Sequence, residues 1–277
     1  MYEMKEQSPY KKALNHDGHL VLTFSPGRIQ TVLTDCYQVP PLKASRALYL
    51  NPVDPAEASL YLMQSSGGLV EGDSNNYKIK VEDGAKVCLI PQSATLVYPS
   101  YHDGWGSQHN SIRLKGNATL KWQPESIIPF ANSQFKGTTE VKMDREATLL
   151  WGEIISPGRY KRNEIFEYCR FQTKFHVWME DQCLIYDNLD FSPTAMELNQ
   201  LGLLEGYLHI GSIWLVSATA KDLDLQDLRN EFKKLIDIKV GTSLLDSKVL
   251  SIRFLSSEMV YLKKGMDKIW TYLNTKI

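Results

Sequence analysis

The densest group of chemically able residues is SSGGLVEGD at 65–73, where Gly67-Gly68 and Gly72 bracket Glu71 and Asp73. A glycine-rich turn of this kind can cradle a phosphate, carry oxygen ligands to a metal ion, or simply bend the chain between strands. A phosphate loop needs Lys-Ser or Lys-Thr directly after its last glycine, so that ammonium and hydroxyl reach the phosphates and their magnesium. Here Gly72 is followed by Asp73, whose carboxylate repels phosphate, and the next segment is the strand-like YKIKV rather than a helix. The dinucleotide spacing G-x-G-x-x-G is missing as well. The nucleotide reading fails. A metal reading is better equipped, because Glu71 and Asp73 offer hard oxygens and glycines let backbone carbonyls approach closely. A bend between strands requires only the glycines and acidic turn formers.

Other candidates are sparser. His16 and His19 in HDGH have the spacing of a divalent-ion pair, but close to a terminus, where chains fray. His102, in YHDGWG at 101–106, reads as a surface loop residue. Cys36, Cys88, Cys169 and Cys183 form neither a CxxC pair nor a zinc spacing, so they read as reduced thiols, two or three of them buried. No GxSxG elbow is present for nucleophilic catalysis. Glu153 and Glu164 are a carboxylate pair that could work on a glycosidic bond, although no reaction-specific motif accompanies them.

The elements that must hold these residues are mostly strands. The 277 residues carry 31 Lys and Arg against 32 Asp and Glu, and this balance argues against a nucleic-acid surface. The longest apolar stretch, IGSIWLVSATA at 210–220, is about half the ~20 residues a bilayer span needs. The N-terminal MYEMKEQSPYKKAL lacks an apolar signal core. The expectation is a soluble, cytoplasmic protein with no membrane or nucleic-acid partner.

From residue 18 to about 217 the chain alternates as strands do, beginning with HLVLTF, RIQTVLTDCY, ALYLNP and SLYLMQ. Three segments then share one pattern: KIKVEDGAKVCLI (78–90), SIRLKGNATLKWQ (111–123) and EVKMDREATLLWG (140–152). Each has an apolar pair, a turn, an alanine (Ala85, Ala118, Ala147) and a second apolar pair. HVWMEDQCLIYDN (176–188) is a weaker fourth copy with Cys183 at the alanine position. As hairpins with three-residue loops, these copies would set Val81 opposite Val87 and Leu114 opposite Leu120. As corners of a β-solenoid they would stack instead. Helical periodicity is confined to the final quarter. DLQDLRNEFKKLIDI (224–238) places Leu225, Leu228, Phe232, Leu235 and Ile236 on one stripe. SSEMVYLKKGMDKIWTYLNTKI (256–277) carries a second stripe, with Ser256 or Ser257 as N-cap. SKVLSIRFL (247–255) between them reads as a strand. The predicted fold is mainly β, with stacked β-repeats forming a β-helical or two-layer β architecture and two helices in the C-terminal region. One domain is expected over 1–277, its β-stack spanning about 18–220 and a helix-strand-helix segment about 221–277.

Four motifs in order resemble the urease accessory protein D family (UreD, also called UreH). They are Pro41-Leu42-Lys43 after the first strands, and Gly67-Gly68-x-x-x-Gly72-Asp73 followed by IPQSATLVYPS with Gln92, Ala94, Thr95 and Tyr98. WQPESIIPF with Pro124, Ile128 and Pro129 comes next, then Glu153-Ile154 with Gly158-Arg159. The resemblance runs over residues 18–275; Ser65-Ser66 and YKRNEIFEYC depart from the family pattern. It implies a nickel-insertion chaperone rather than an enzyme, built as a β-helical stack with two helices. It further implies partners: apo-urease, accessory protein F and, through the complex, the accessory GTPase G. Nickel would pass through an internal tunnel as a transient Ni²⁺, with no tightly bound cofactor. Weak oxygen ligands suit such transit, because a conduit must release what it binds. Asp73 and Glu153 are the candidate channel carboxylates, and Gly67, Gly68, Gly72, Thr95, Gly158 and Arg159 the loop positions. The rival readings are a β-solenoid carbohydrate-active enzyme using Glu153 and Glu164, and a metal-storage module, for which the sequence shows no dense ligand cluster.

Overall fold

A computed structural model describes residues 17–277, so His16 and the N-terminal segment before it lie outside the described residues. In chain order the first strands are β1 (Asp17–Pro26), β2 (Thr31–Val39), β3 (Leu42–Ala44), β4 (Ala58–Gln64), β5 (Ser74–Val81) and β6 (Lys86–Pro91). Then come β7 (Thr95–Val97), β8 (Gly106–Leu114), β9 (Thr119–Trp122), β10 (Ser126–Pro129), β11 (Gln134–Met143) and β12 (Thr148–Ile155). The chain ends with β13 (Arg170–Met179), β14 (Gln182–Phe191), β15 (His209–Val216), α1 (Leu225–Phe232), β16 (Ile238–Leu245), β17 (Val249–Ser256) and α2 (Met259–Asn274).

The three repeats are arches, not hairpins. β5, β8 and β11 stack in parallel in one seven-stranded sheet, while β6, β9 and β12 stack in parallel in a second sheet of ten strands. Each repeat therefore gives one strand to each sheet and crosses at its turn, which is the solenoid alternative. Val81 and Val87 do not pair along a ladder. They belong to one apolar cluster that fills the space between the sheets. Period-two arithmetic fixes which side chains point inward, and the inward set is the same for a hairpin and for an arch. What decides is that the three copies stack on one another, so their backbone groups bond to neighbouring coils rather than across a hairpin. The turns repeat too: the N–H groups of Ala85, Ala118 and Ala147 donate to Glu82, Lys115 and Asp144 carbonyls at 3.0, 3.0 and 3.1 Å. All three alanines are fully buried.

The fourth copy departs from this plan. β13 and β14 form a true antiparallel hairpin within the first sheet, closed at Glu180 in a left-handed conformation (φ 54°). β14 is the edge of that sheet, and Cys183 is exposed rather than tucked inward. Of the four cysteines only Cys88 is buried, fewer than the two or three expected. ALYLNP contributes a single bridge, Leu48 to Ser59, rather than a strand.

The C-terminal region is β-rich as well. α1 is shorter than its apolar period suggested, because Ile238 opens β16, which pairs with β17, and Ile236 is exposed. Asp224 caps α1 by accepting the N–H groups of Gln226 and Asp227. Neither Ser256 nor Ser257 caps α2. Ser256 ends β17, its hydroxyl donating to the Asp237 carbonyl at 2.9 Å, and the helix starts after Glu258. The stripe of α2 (Leu262, Met266, Ile269, Leu273) packs on the outer face of the second sheet against Leu150, Leu215, Ile252 and Phe254. No helix among the described residues is long and apolar enough to cross a membrane.

Candidate functional site: a polar layer inside the stack

The space between the sheets is not uniformly apolar. Inward positions on β12 read Leu149, Trp151, Glu153, Ile155; on β11, Met143, Val141, Thr139, Gly137, Phe135; on β15, Val216, Trp214, Ser212, Ile210. The first members of each set belong to the cluster at the turns, and the last members to a separate cluster with Phe171 and Phe191. Between the two lies a layer of Glu153, Ser212, Thr139, Asn110 and Asp187. The strand registers bring it together. Glu153 stands beside Ser212 and Ser212 beside Arg253 in one sheet, while Asn110 stands beside Thr139 in the other. A shelf of stacked rings closes the layer on the turn side: Trp122 on Trp151 (4.8 Å) and Trp151 on Phe175 (5.3 Å).

Two adjoining cavities of about 60 and 20 Å³ occupy this layer and share Gln108, Asn110, Ile127, Trp151 and Glu153 as lining. Such spaces hold a few waters or a small ion, provided polar groups line them. Asn110 Nδ2 donates to Thr139 Oγ1 at 2.8 Å. Arg253 donates to Ser212 Oγ at 2.5 Å and pairs with Asp187 at 2.5 Å. Burial pushes the Glu153 carboxyl up to about 7; Arg253 opposes that shift and the Asp187 charge adds to it. Glu153 is thus a carboxylate on the edge of ionisation, aimed into a polar cavity where a cation would favour its charged form. Among the described residues no three His, Cys, Asp or Glu side chains converge as a metal cage.

Asp73 does not line these cavities. It is buried in the turn before β5, where its Oδ2 accepts the Val70 N–H at 3.1 Å and its own N–H donates to the Val70 carbonyl at 3.0 Å. Glu71 likewise spends its oxygens on backbone, accepting N–H groups of Tyr101, His102 and Gly104 at 2.8 to 3.1 Å. These bonds hold its carboxyl below the usual carboxylate range. The structure therefore separates the two candidate channel carboxylates: Glu153 faces the cavity, and Asp73 secures the glycine-rich turn. Gly68, at φ 148°, lies so close to β7 that a Cβ would sit 2.5 Å from the Leu96 carbonyl, and Gly67 and Gly72 flank it in the same loop. Thr95 lines the cavity from β7. Gly158 and Arg159 form a second loop, in which Arg159 bonds bidentately to Glu164 and lies 4.1 Å over the Phe130 ring. Glu164 is thereby committed to Arg159 while Glu153 points inward, so the two do not face one cavity as a glycosidase pair would. His19 and His102 are both exposed.

Asn110, Thr139, Ser212, Asp187 and Arg253 were not foreseen. The available signal is a break in the inward alternation, where Gln108-x-Asn110 and Gly137-x-Thr139 take apolar positions two residues ahead of the repeat's apolar pair. A second buried polar group, the Lys121–Glu57 ion pair at 2.6 Å, lies on the outer face of the second sheet.

Fold and site together define a β-solenoid with two small polar cavities in its interior. The sequence profile described as "UreD urease accessory protein" matches residues 16–277, and the chain belongs to that family. It is 46% identical over 241 residues to the urease accessory protein UreD of Sporosarcina pasteurii, covering 87% of this chain and 94% of the relative. It is 38% identical over 257 residues to UreD of Lysinibacillus sphaericus (93% and 95%) and 32% identical over 259 residues to UreD of Halalkalibacterium halodurans (93% and 94%).

Proposed function

We propose that this protein serves urease maturation as a non-catalytic scaffold whose interior conducts Ni²⁺ toward apo-urease. In this reading it acts in the cytoplasm, in a complex with accessory protein F and the GTPase G. Family membership supports the role in maturation. The observation that carries the conduit is Glu153, a carboxylate near its ionisation point lining a polar cavity between two apolar clusters. A few oxygens bind a divalent ion weakly enough to let it go, whereas a dense cage would retain it. Nickel is cargo here and not a resident cofactor.

The test is co-expression with urease and the other accessory proteins, followed by nickel analysis of purified urease. Glu153→Gln keeps shape and removes charge, and is expected to lower nickel per urease active site and activity by roughly tenfold or more, a loss worth at least one carboxylate–cation contact. Unchanged nickel content would dismiss the conduit role of Glu153. Asp73→Ala in the same assay decides whether Asp73 also handles nickel: full nickel loading by folded protein leaves it as a turn residue only.

A further inference from the structure

The polar layer has an acidic edge toward solvent. β7 and β10 form the wall there, and their residues alternate: Thr95 and Ile127 line the cavity, whereas Leu96 and Ile128 line an open groove of about 620 Å³ on the other side. Glu125, just before β10, lines both. Its Oε1 accepts the ammonium of Lys263 at 2.8 Å and the Ser126 N–H at 2.7 Å. Lys263 stands on α2 and lines the groove. Asp267 is one turn further along; burial pushes its carboxyl up, Lys263 holds it down, and the Glu125 charge adds to the rise. The ammonium is thus bonded to Glu125, a carboxylate that lines both groove and cavity, with the Asp267 carboxyl within its electrostatic reach. The helix backbone beneath it is fixed by Leu262 and Met266 in the apolar contact with the second sheet, while the lysine stem, side-chain exposure 42%, can swing toward solvent.

We propose that Lys263 is the gate residue of this passage: its ammonium is a tethered counter-cation on Glu125, and a divalent cation enters the polar layer by displacing it. The inference rests on the reading of the interior as a cation passage. A carboxylate already neutralised by an ammonium gives little to a monovalent ion, whereas a dication offers twice the charge at the same distance and wins the exchange. Lys263 therefore slows entry and selects by valence, while Glu125 supplies the attraction.

Trp122, Trp151 and Trp214 line the two cavities, so Ni²⁺ entering them is read as quenching of tryptophan fluorescence after rapid mixing of nickel sulfate with the full chain. Lys263→Met is expected to speed quenching roughly tenfold, the scale on which one charge alters entry to a confined site, and to let excess Na⁺ compete. Lys263→Arg, which keeps the charge and reports on folding, should stay within about twofold of the unmodified chain. Glu153→Gln should suppress the quench. If Lys263→Met quenches at the original rate and without Na⁺ competition while Glu153→Gln still suppresses the signal, the gate is overturned and the passage stands. If Ni²⁺ quenches none of these chains, the passage reading itself fails, and the gate fails with it.

Discussion

Two carboxylates that look alike in the sequence do different work in the structure. Asp73 spends its side chain on the Val70 N–H inside a tight turn, while Glu153 faces a cavity beside Asp187 and Arg253. The buried setting of Glu153 decides how it holds a proton. The Glu153 carboxyl is pushed from an ordinary value of 4.5 up to about 7, so between those limits the folded chain holds a proton that the unfolded chain has lost. Stability from this group is therefore complete below pH 4.5 and is lost as pH rises from there through 7, by roughly 3 kcal/mol in total. His209 titrates in the opposite sense. It is buried with neither ring nitrogen hydrogen-bonded, and burial presses it down from 6.5 to about 4, so its contribution is lost as pH falls through that range. The informative quantity is accordingly the difference between the unmodified chain and Glu153→Gln. The variant should gain on the unmodified chain in thermal midpoint between pH 5 and pH 8, as measured by calorimetry. A constant difference across that range would show that Glu153 titrates normally. The sequence marks Glu153 as a candidate through its family motif, but the raised proton affinity is not legible there, because its burial follows from strand register.

At the scale of elements, the arch is what the repeats encode. Apolar pairs flanking a turn and an alanine gave the inward faces correctly, but a single copy cannot say whether its two strands lie side by side or across from each other. The alanine carries more information than its size suggests. Ala85, Ala118 and Ala147 are fully buried where the two sheets converge, and successive alanines stack through the register that pairs Thr119 with Lys86 and Thr148. A larger side chain must displace its neighbours. Ala118→Leu, in the middle coil, is expected to cost about 1–3 kcal/mol as an overpacked core position. Denaturant unfolding should show the loss as a lower midpoint at unchanged slope, and an unchanged midpoint would mean that the corner is looser than it looks. The Lys121–Glu57 pair marks the other limit of sequence reading. Lys121 occupies an outward position that alternation assigns to solvent, yet both side chains are about 5% exposed. Glu57 reaches it from the irregular segment ahead of β4, and irregular segments leave no periodic signal.

For the whole molecule, the polar layer is the feature that a stability argument alone does not explain. A solenoid of this kind could have filled its interior with apolar side chains at every level, as it does on either side of the layer. Buried polar groups gain little net stability even when bonded, and replacing a bonded pair by apolar groups of similar shape is often neutral. Asn110 and Thr139 form such a pair, their side chains buried and bonded at 2.8 Å. The double variant Asn110→Leu with Thr139→Val should therefore keep its thermal midpoint, with a change in stability within about 1 kcal/mol. If the interior conducts nickel as proposed, transfer should weaken, because the cavities beside Glu153 would lose two of the polar groups that line them. Nickel content of co-expressed urease should drop although the chain remains folded, a separation expected where residues are kept for function at the expense of packing. Full nickel loading by this double variant would show that the polar layer is incidental to transfer. A collapse of stability would show instead that it is a structural network the fold depends on.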